Sequence, residues 1–147
     1  MGYFLKNWFS NFDPIDTRIT DDFGIVYNTV ENAFQAAKSV DKDIRYKISL
    51  MSPNDSKKEG YRVVCVPNWD SIKLGVMFNF LCQKYKQDPK HRKQLIKSDP
   101  FEIVEWNNWH DNYWGVCVCE RCQDKEKHNH LGKLIMKIRK QLLNEVV

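Results

Sequence analysis

The tightest constraint on this chain lies late, in Trp106–Arg139: WNNWHDNYWGVCVCERCQDKEKHNHLGKLIMKIR. Three of the five Trp fall within nine residues, with Asp111 among them, and three of the five Cys follow within six. Aromatics gathered round a carboxylate suit a pocket wall better than a surface loop. An amphipathic helix closes the stretch. Leu131, Leu134, Ile135, Ile138 and Leu142 recur at helical spacing, and Asn129 stands where a cap belongs.

The rest of the chain has to supply the other walls. Its 147 residues suit one domain spanning 1–147, and 42% hydrophobic content is enough for a packed core. The net charge of +4 agrees with an anionic ligand. The Lys and Arg are spread out, so that charge alone does not make a nucleic-acid face. Lys6 and Asn7 interrupt the N-terminal apolar run, against a signal peptide. No run has the length of a membrane span. An odd Cys count with three bunched argues against a disulfide framework, and a reducing cytoplasm is the expected setting.

Taken in order, residues 3–12 are aromatic-rich and read as an irregular plug of the core. Asp16–Thr20 and Gly24–Tyr27 read as a hairpin turned at Asp21, Asp22 and Gly24. Val30, Ala33, Phe34 and Ala37 then mark an amphipathic helix. Asn28 as its cap would put Glu31 in a capping box. Alternatively Glu31, Gln35 and Lys38 share a stripe and present an acid, an amide and a cation to one ligand. From this stretch alone the cap is the simpler reading.

A short helix over 41–50 follows, then one opened by Ser52-Pro53 and stopped at Gly60. Arg62–Val66 reads as extended. Asn68-Trp69-Asp70-Ser71 starts the longest helix, to about Lys86. Asp88-Pro89 starts another, to about Lys97, and Phe101–Glu105 alternates like a strand. The sum is an α+β fold, mainly helical with a few short antiparallel strands.

Four blocks stand in order: FSNF at 9–12, YNTVENAFQAAK at 27–38, PNWDSIKLGVM at 67–77, and DNYWG at 111–115 with NHLGKLIMKIR at 129–139. Together they resemble the NADAR superfamily, also called YbiA-like, over nearly the whole chain. Phe9 stands where that pattern usually has Leu, and Asn32 where it often has His. The resemblance implies cleavage of an N-glycosidic bond. Two substrate classes go with it: ADP-ribose on guanine in DNA or nucleotide, and a phosphoribosylamino-pyrimidine intermediate of riboflavin synthesis. It implies that Glu31, Trp69 and Asp111 matter for activity. Asn11, Phe12, Gln35, Lys38, Trp114 and Gly115 fall in the matching blocks and are expected to line the substrate site. With the resemblance in hand, Glu31 reads as catalytic before it reads as a cap.

The chemistry agrees with that trio. Breaking a ribosyl C1′–N bond builds positive charge on the sugar. A carboxylate beside C1′ stabilises that charge or takes a proton from attacking water. A Trp can stack on the leaving base, at Trp69 or Trp114. Lys38 is the first candidate for a phosphate. Cys117, Cys119 and Cys122 read C-x-C-x-x-C, with His110 before and His128 and His130 behind. That density suits a structural zinc completed by a His or another Cys, and the plain alternative is three free thiols. No metal is required for the reaction itself, and no membrane or protein partner is indicated. Two other classes compete: a module that binds ADP-ribose without cutting it, and a small zinc-containing nucleic-acid-binding protein.

Overall fold

Local chemistry sets most of the helix starts. In the computed structural model, which describes residues 2–4 and 9–145, six α-helices and three short strand pairs form the regular structure. The chain divides into two compact units, residues 10–92 and residues 1–9 with 93–147. The fold class is the expected α+β.

In the unit of residues 10–92, strands β2 (Ile19–Thr20) and β3 (Val26–Tyr27) form the expected antiparallel hairpin. Asp21 accepts from the N–H groups of Phe23 and Ile25, and Gly24 takes the positive φ of +78° that the turn demands. Helix α1 (Val30–Ala36) is capped by Thr29, whose hydroxyl accepts from the Asn32 N–H. The expected Asn28 cap is therefore one residue off. Glu31 sits at the second helical position, out of capping-box register.

Helices α2 (Lys42–Ser49) and α3 (Pro53–Gly60) follow, and Ser52 caps α3 as its Ser-Pro signal predicts. Arg62–Val66 is not a strand. Among the described residues it joins no strand pair, Val64 is exposed, and the Val66 N–H bonds the Lys38 carbonyl, so β-branched composition alone does not make a strand of it. Helix α4 (Trp69–Gln87) buries Trp69, Met77, Phe80, Leu81 and Tyr85. Each such apolar burial contributes about 1.5–3 kcal/mol. Helix α1 packs on α2, α3 and α4.

A buried polar network fixes the loop that carries Asn11. Lys84, fully buried on α4, donates to the Ser10 carbonyl at 2.9 Å. His91 lies between two carboxylates, Nδ1 at 2.5 Å from Asp88 and Nε2 at 2.7 Å from Asp13. Asp88 caps α5 (Pro89–Lys97) through the His91 N–H and also accepts from the N–H groups of Asp16 and Thr17. Burial drives the Lys84 pKa down to about 7, against the opposing pull of Asp13 and Asp88.

The second unit is built on parallel pairs. Strand β1 (Gly2–Phe4) runs parallel to β4 (Glu102–Val104), and β5 (Trp106–Asn107) parallel to β6 (Val116–Cys117). The antiparallel expectation thus holds for one pair of three. Gly2–Phe4 is a strand rather than irregular. The plug expected of the Tyr3, Phe4 and Trp8 side chains lies outside the described residues.

Helix α6 (His130–Glu145) packs on β4 with Leu131, Ile135, Ile138 and Leu142 buried. The Asn129 side chain is not a helix cap. It pairs with the strand edge, donating to the Ile103 carbonyl and accepting from the Glu105 N–H, at 3.0 Å each. Arg139 donates to Ser98 Oγ at 2.9 Å and the Phe101 carbonyl at 2.7 Å, tying α6 to the turn before β4. Among the described residues no helix is long and apolar enough to cross a membrane.

Candidate functional site

The unit of residues 10–92 gathers Asn11, Glu31, Gln35, Lys38 and Trp69 around the buried end of α1. Glu31 is 8% exposed. Its N–H donates to the Asn11 carbonyl at 3.0 Å, and its Oε1 accepts from Gln35 Nε2 at 2.8 Å. Gln35 Oε1 is buried without a hydrogen-bond partner and rests against Gly60, where a Cβ would lie 1.9 Å away. Asn11 Oδ1 is likewise buried without a partner, while its Nδ2 touches Met77 Sδ at 3.5 Å. Phe12 is 37% exposed beside it in sequence.

Lys38 is half-buried, and its pKa is lowered by that burial and by Lys73, against the opposing pull of Cys65 and Glu31. Its ammonium lies 5.9 Å over the exposed Tyr61 ring. Trp69 starts α4 and packs at 5.1 Å on Phe34, one turn from Glu31. Phe34, Gly60, Cys65 and Lys73 join the expected residues here. Phe34 reads as ordinary core, and the others meet α1 only through tertiary packing. A cleft of about 470 Å³, bordered by Asp41, Ile44, Glu59, Arg62, Cys65 and Pro67, is lined by none of the expected site residues.

Asp111, Trp114, Gly115 and the three cysteines belong to the other unit. Asp111 Oδ1 accepts from the N–H groups of Tyr113 at 3.1 Å and Trp114 at 2.9 Å, so the carboxylate staples its own turn. Asn107 grips the same residue from β5, accepting from its N–H at 3.1 Å and donating to its carbonyl at 2.7 Å. Gly115 has no room for a side chain, since a Cβ would lie 2.2 Å from the Glu105 carbonyl. Trp106 and Trp109 are exposed, so the Trp cluster does not close round Asp111 as a shell. Trp114 is half-buried, edge-on to Tyr113 at 4.9 Å.

His110, Cys117, Cys119 and Cys122 bring four donor atoms within 4.8 Å of one another, a cluster that could hold a metal. Burial works against ionisation of the Cys117 thiol. The N–H and thiol of Cys119 and the His110 N–H outweigh it and hold the thiol at about 7. Burial raises the Cys119 thiol, with its two Cys neighbours adding to the rise. His128 and His130 stack on each other at 5.1 Å and are outside the cluster.

The NADAR domain family model matches residues 3–143. The chain belongs to the NADAR family. It is 34% identical to the N-glycosidase YbiA of Escherichia coli over 93% of this chain and 82% of that protein. It is 29% identical to the N-glycosidase Npun_R5314 of Nostoc punctiforme, over 97% and 92%. A maize protein named as the chloroplastic riboflavin biosynthesis protein PYRR is also 29% identical over 97% of this chain, which spans 25% of that longer protein. The NMR structure of E. coli YbiA matches with a TM-score of 0.76 at 33% identity, covering 94% of this chain and 79% of that one.

Several NADAR motif positions have structural reasons here. Asn32, which departs from the usual His, is 2% exposed and donates to the carbonyls of Ile48 and Met51, closing the end of α2. In the D-x-x-W-G block, Gly115 admits the Glu105 carbonyl. In the N-x-L-G block, Gly132 admits the Ile103 carbonyl, 2.1 Å from where its Cβ would be.

Proposed function

We propose that this NADAR protein is an N-glycosidase that hydrolyses a ribosyl C1′–N bond, with Glu31 and Asp111 as its working carboxylates. The observation that carries this reading is Glu31. It is a buried carboxylate released from capping duty, braced by Gln35, with a half-buried lysine and a packed Trp in the same unit. A buried carboxylate that caps no helix is an expensive arrangement for stability alone. It is a suitable one for facing a cationic sugar.

In the reaction, the C1′–N bond breaks with its electron pair passing to the base nitrogen. Water adds its oxygen to C1′. One carboxylate takes the water proton or steadies the developing positive charge, and the other takes the complementary part. A proton is returned to the leaving base. Trp69 stacks on the base, and Trp114 adds a second aromatic face. Lys38 meets phosphate. Asn11 Oδ1, buried without a partner, accepts from a substrate hydroxyl, and this relieves an unpaired acceptor costing about 1–3 kcal/mol.

The substrate is ADP-ribose attached to guanine, or a phosphoribosylamino-pyrimidine of riboflavin synthesis. The diphosphate and half-buried cation favour the first. The similarity to the maize riboflavin protein keeps the second. The same reading includes a structural zinc on the cysteines. Chromatography with mass detection separates the substrates: guanosine-ADP-ribosylated DNA yields free ADP-ribose, and the pyrimidine substrate yields ribose phosphate and free base. Cleavage of neither, with ADP-ribose still bound, would identify a binding module instead.

A further inference from the structure

Outside the carboxylate site, the densest grouping of metal-ligating side chains among the described residues is the cluster that brackets Asp111 in the chain. His110 Nδ1 lies 3.3 Å from Cys119 Sγ and 3.4 Å from Cys122 Sγ, and Cys117 Sγ lies 3.4 Å from Cys119 Sγ. A tetrahedral zinc ion with Zn–S of about 2.3 Å and Zn–N of about 2.0–2.1 Å separates its donors by roughly 3.5–3.8 Å. These three separations fall within a few tenths of an ångström of those values, and all four donor atoms lie within 4.8 Å of one another. Three thiolates and one imidazole fill all four positions.

The backbone is arranged to bring these donors together. His110 has φ +70°, a left-handed conformation that a residue with a side chain adopts at a cost. Cys117 is held by its place in β6 and by its N–H bond to Asn112 Oδ1 at 2.9 Å. A short 3-10 turn over Glu120–Cys122 delivers Cys122, whose N–H bonds the Cys119 carbonyl. Lys127 donates to the Cys122 carbonyl at 2.6 Å and the Lys125 carbonyl at 3.0 Å, closing the ligand loop with a positive charge beside it.

The cluster is also joined to Asp111 from two sides. His110 precedes it directly in the chain. Cys117 is the strand partner of Asn107, and Asn107 grips both the N–H and the carbonyl of Asp111. We infer that His110, Cys117, Cys119 and Cys122 bind one zinc ion in a closed structural site, and that this ion sets the turn presenting Asp111. The metal holds a positioning role: with no open coordination site it does not touch water or substrate. The link from turn to turnover rests on the reading of Asp111 proposed above, whereas the zinc site stands apart from it.

The test uses the full chain, purified without chelator and reconstituted with zinc. Native mass spectrometry should show one zinc per chain. Cobalt(II) in its place should give the intense visible bands and thiolate charge-transfer absorption of a tetrahedral thiolate site. His110→Ala should lower zinc affinity at least tenfold, and His110→Cys should restore it, which separates ligand loss from misfolding. Removing zinc from the wild type should shift the amide resonances of Asp111, Tyr113 and Trp114 while those of α1 stay in place. A chain that takes up no zinc, or a His110→Ala protein that binds it with wild-type affinity, would overturn the ligand set. Unmoved Asp111-turn resonances would overturn the positioning role. Zinc bound as expected in a protein without glycosidase activity would overturn the proposed function and leave this site standing.

Discussion

Gln35 braces Glu31 from one turn further along the same helix, donating to its carboxylate at 2.8 Å while its own carbonyl rests against Gly60. An ionised carboxylate only accepts, so the amide must turn its nitrogen toward Glu31 and its oxygen toward Gly60. The glycine is what leaves room for that orientation.

If the brace orients Glu31, Gln35→Leu should lower kcat by about tenfold, the worth of one hydrogen bond to a charged group. KM should change little. Melting temperature within a few degrees of wild type, measured alongside, would place the loss in the site and not the fold.

The two crowded glycines should behave differently. Gly60→Ala meets the end of the Gln35 side chain, which can swing away, so turnover should fall with little loss of stability. Gly115→Ala meets the Glu105 backbone carbonyl at 2.2 Å, which cannot move without opening the β5–β6 pair. Thermal denaturation should show Gly115→Ala as the more damaging by about 1–3 kcal/mol.

Asp111 has a structural task and a proposed chemical one, and two substitutions separate them. Asn retains an oxygen that accepts from Tyr113 and Trp114. Asp111→Asn should therefore keep the wild-type melting point and lose turnover. Asp111→Ala loses the turn bonds as well and should also be destabilised by about 1–2 kcal/mol. Paired melting and rate measurements on both variants check this.

Lys84 predicts a pH dependence of stability. Its pKa is about 7 in the native protein against an ordinary 10.5, so between those values the unfolded chain binds more protons than the folded one. Stability at this position therefore rises with pH across that interval, by up to about 1.4 kcal/mol per pH unit, and is lowest below pH 7. Lys84→Met removes the rise. Urea denaturation of both proteins at pH 7, 8 and 9 should show the wild type gaining on the variant at each step.

The parts of this structure legible from the sequence are those fixed by neighbouring residues. Ser52-Pro53 and Asp88-Pro89 start helices because cap and proline act within one turn, and the Gly24 turn needs only its own φ. The cap of α1 falls at Thr29, one residue from the expected Asn28, because both are competent caps. Only packing decides between them, and that single step takes Glu31 out of the capping box.

The parallel pairs were illegible, since Gly2–Phe4 finds its partner at Glu102–Val104 through the whole intervening fold. At the candidate site, the Glu31–Gln35 pair is readable from helical spacing, whereas α1 ends at Ala36 and Lys38 lies beyond it. Gly60, Cys65 and Lys73 reach it only in three dimensions. The three cysteines announced themselves by density. His110 is one of three histidines near them, and its positive φ has no signal in sequence.

The proposed chemistry turns on Glu31 working at a C1′–N bond. The most direct measurement is single-turnover release of free ADP-ribose from guanosine-ADP-ribosylated DNA, run beside the phosphoribosylamino-pyrimidine, by wild type and Glu31→Gln. The wild type should cleave at least one substrate, and the variant should be at least ~100-fold slower at unchanged melting temperature. A folded Glu31→Gln protein that cleaves at the wild-type rate, or a wild type that cleaves neither substrate, would contradict it.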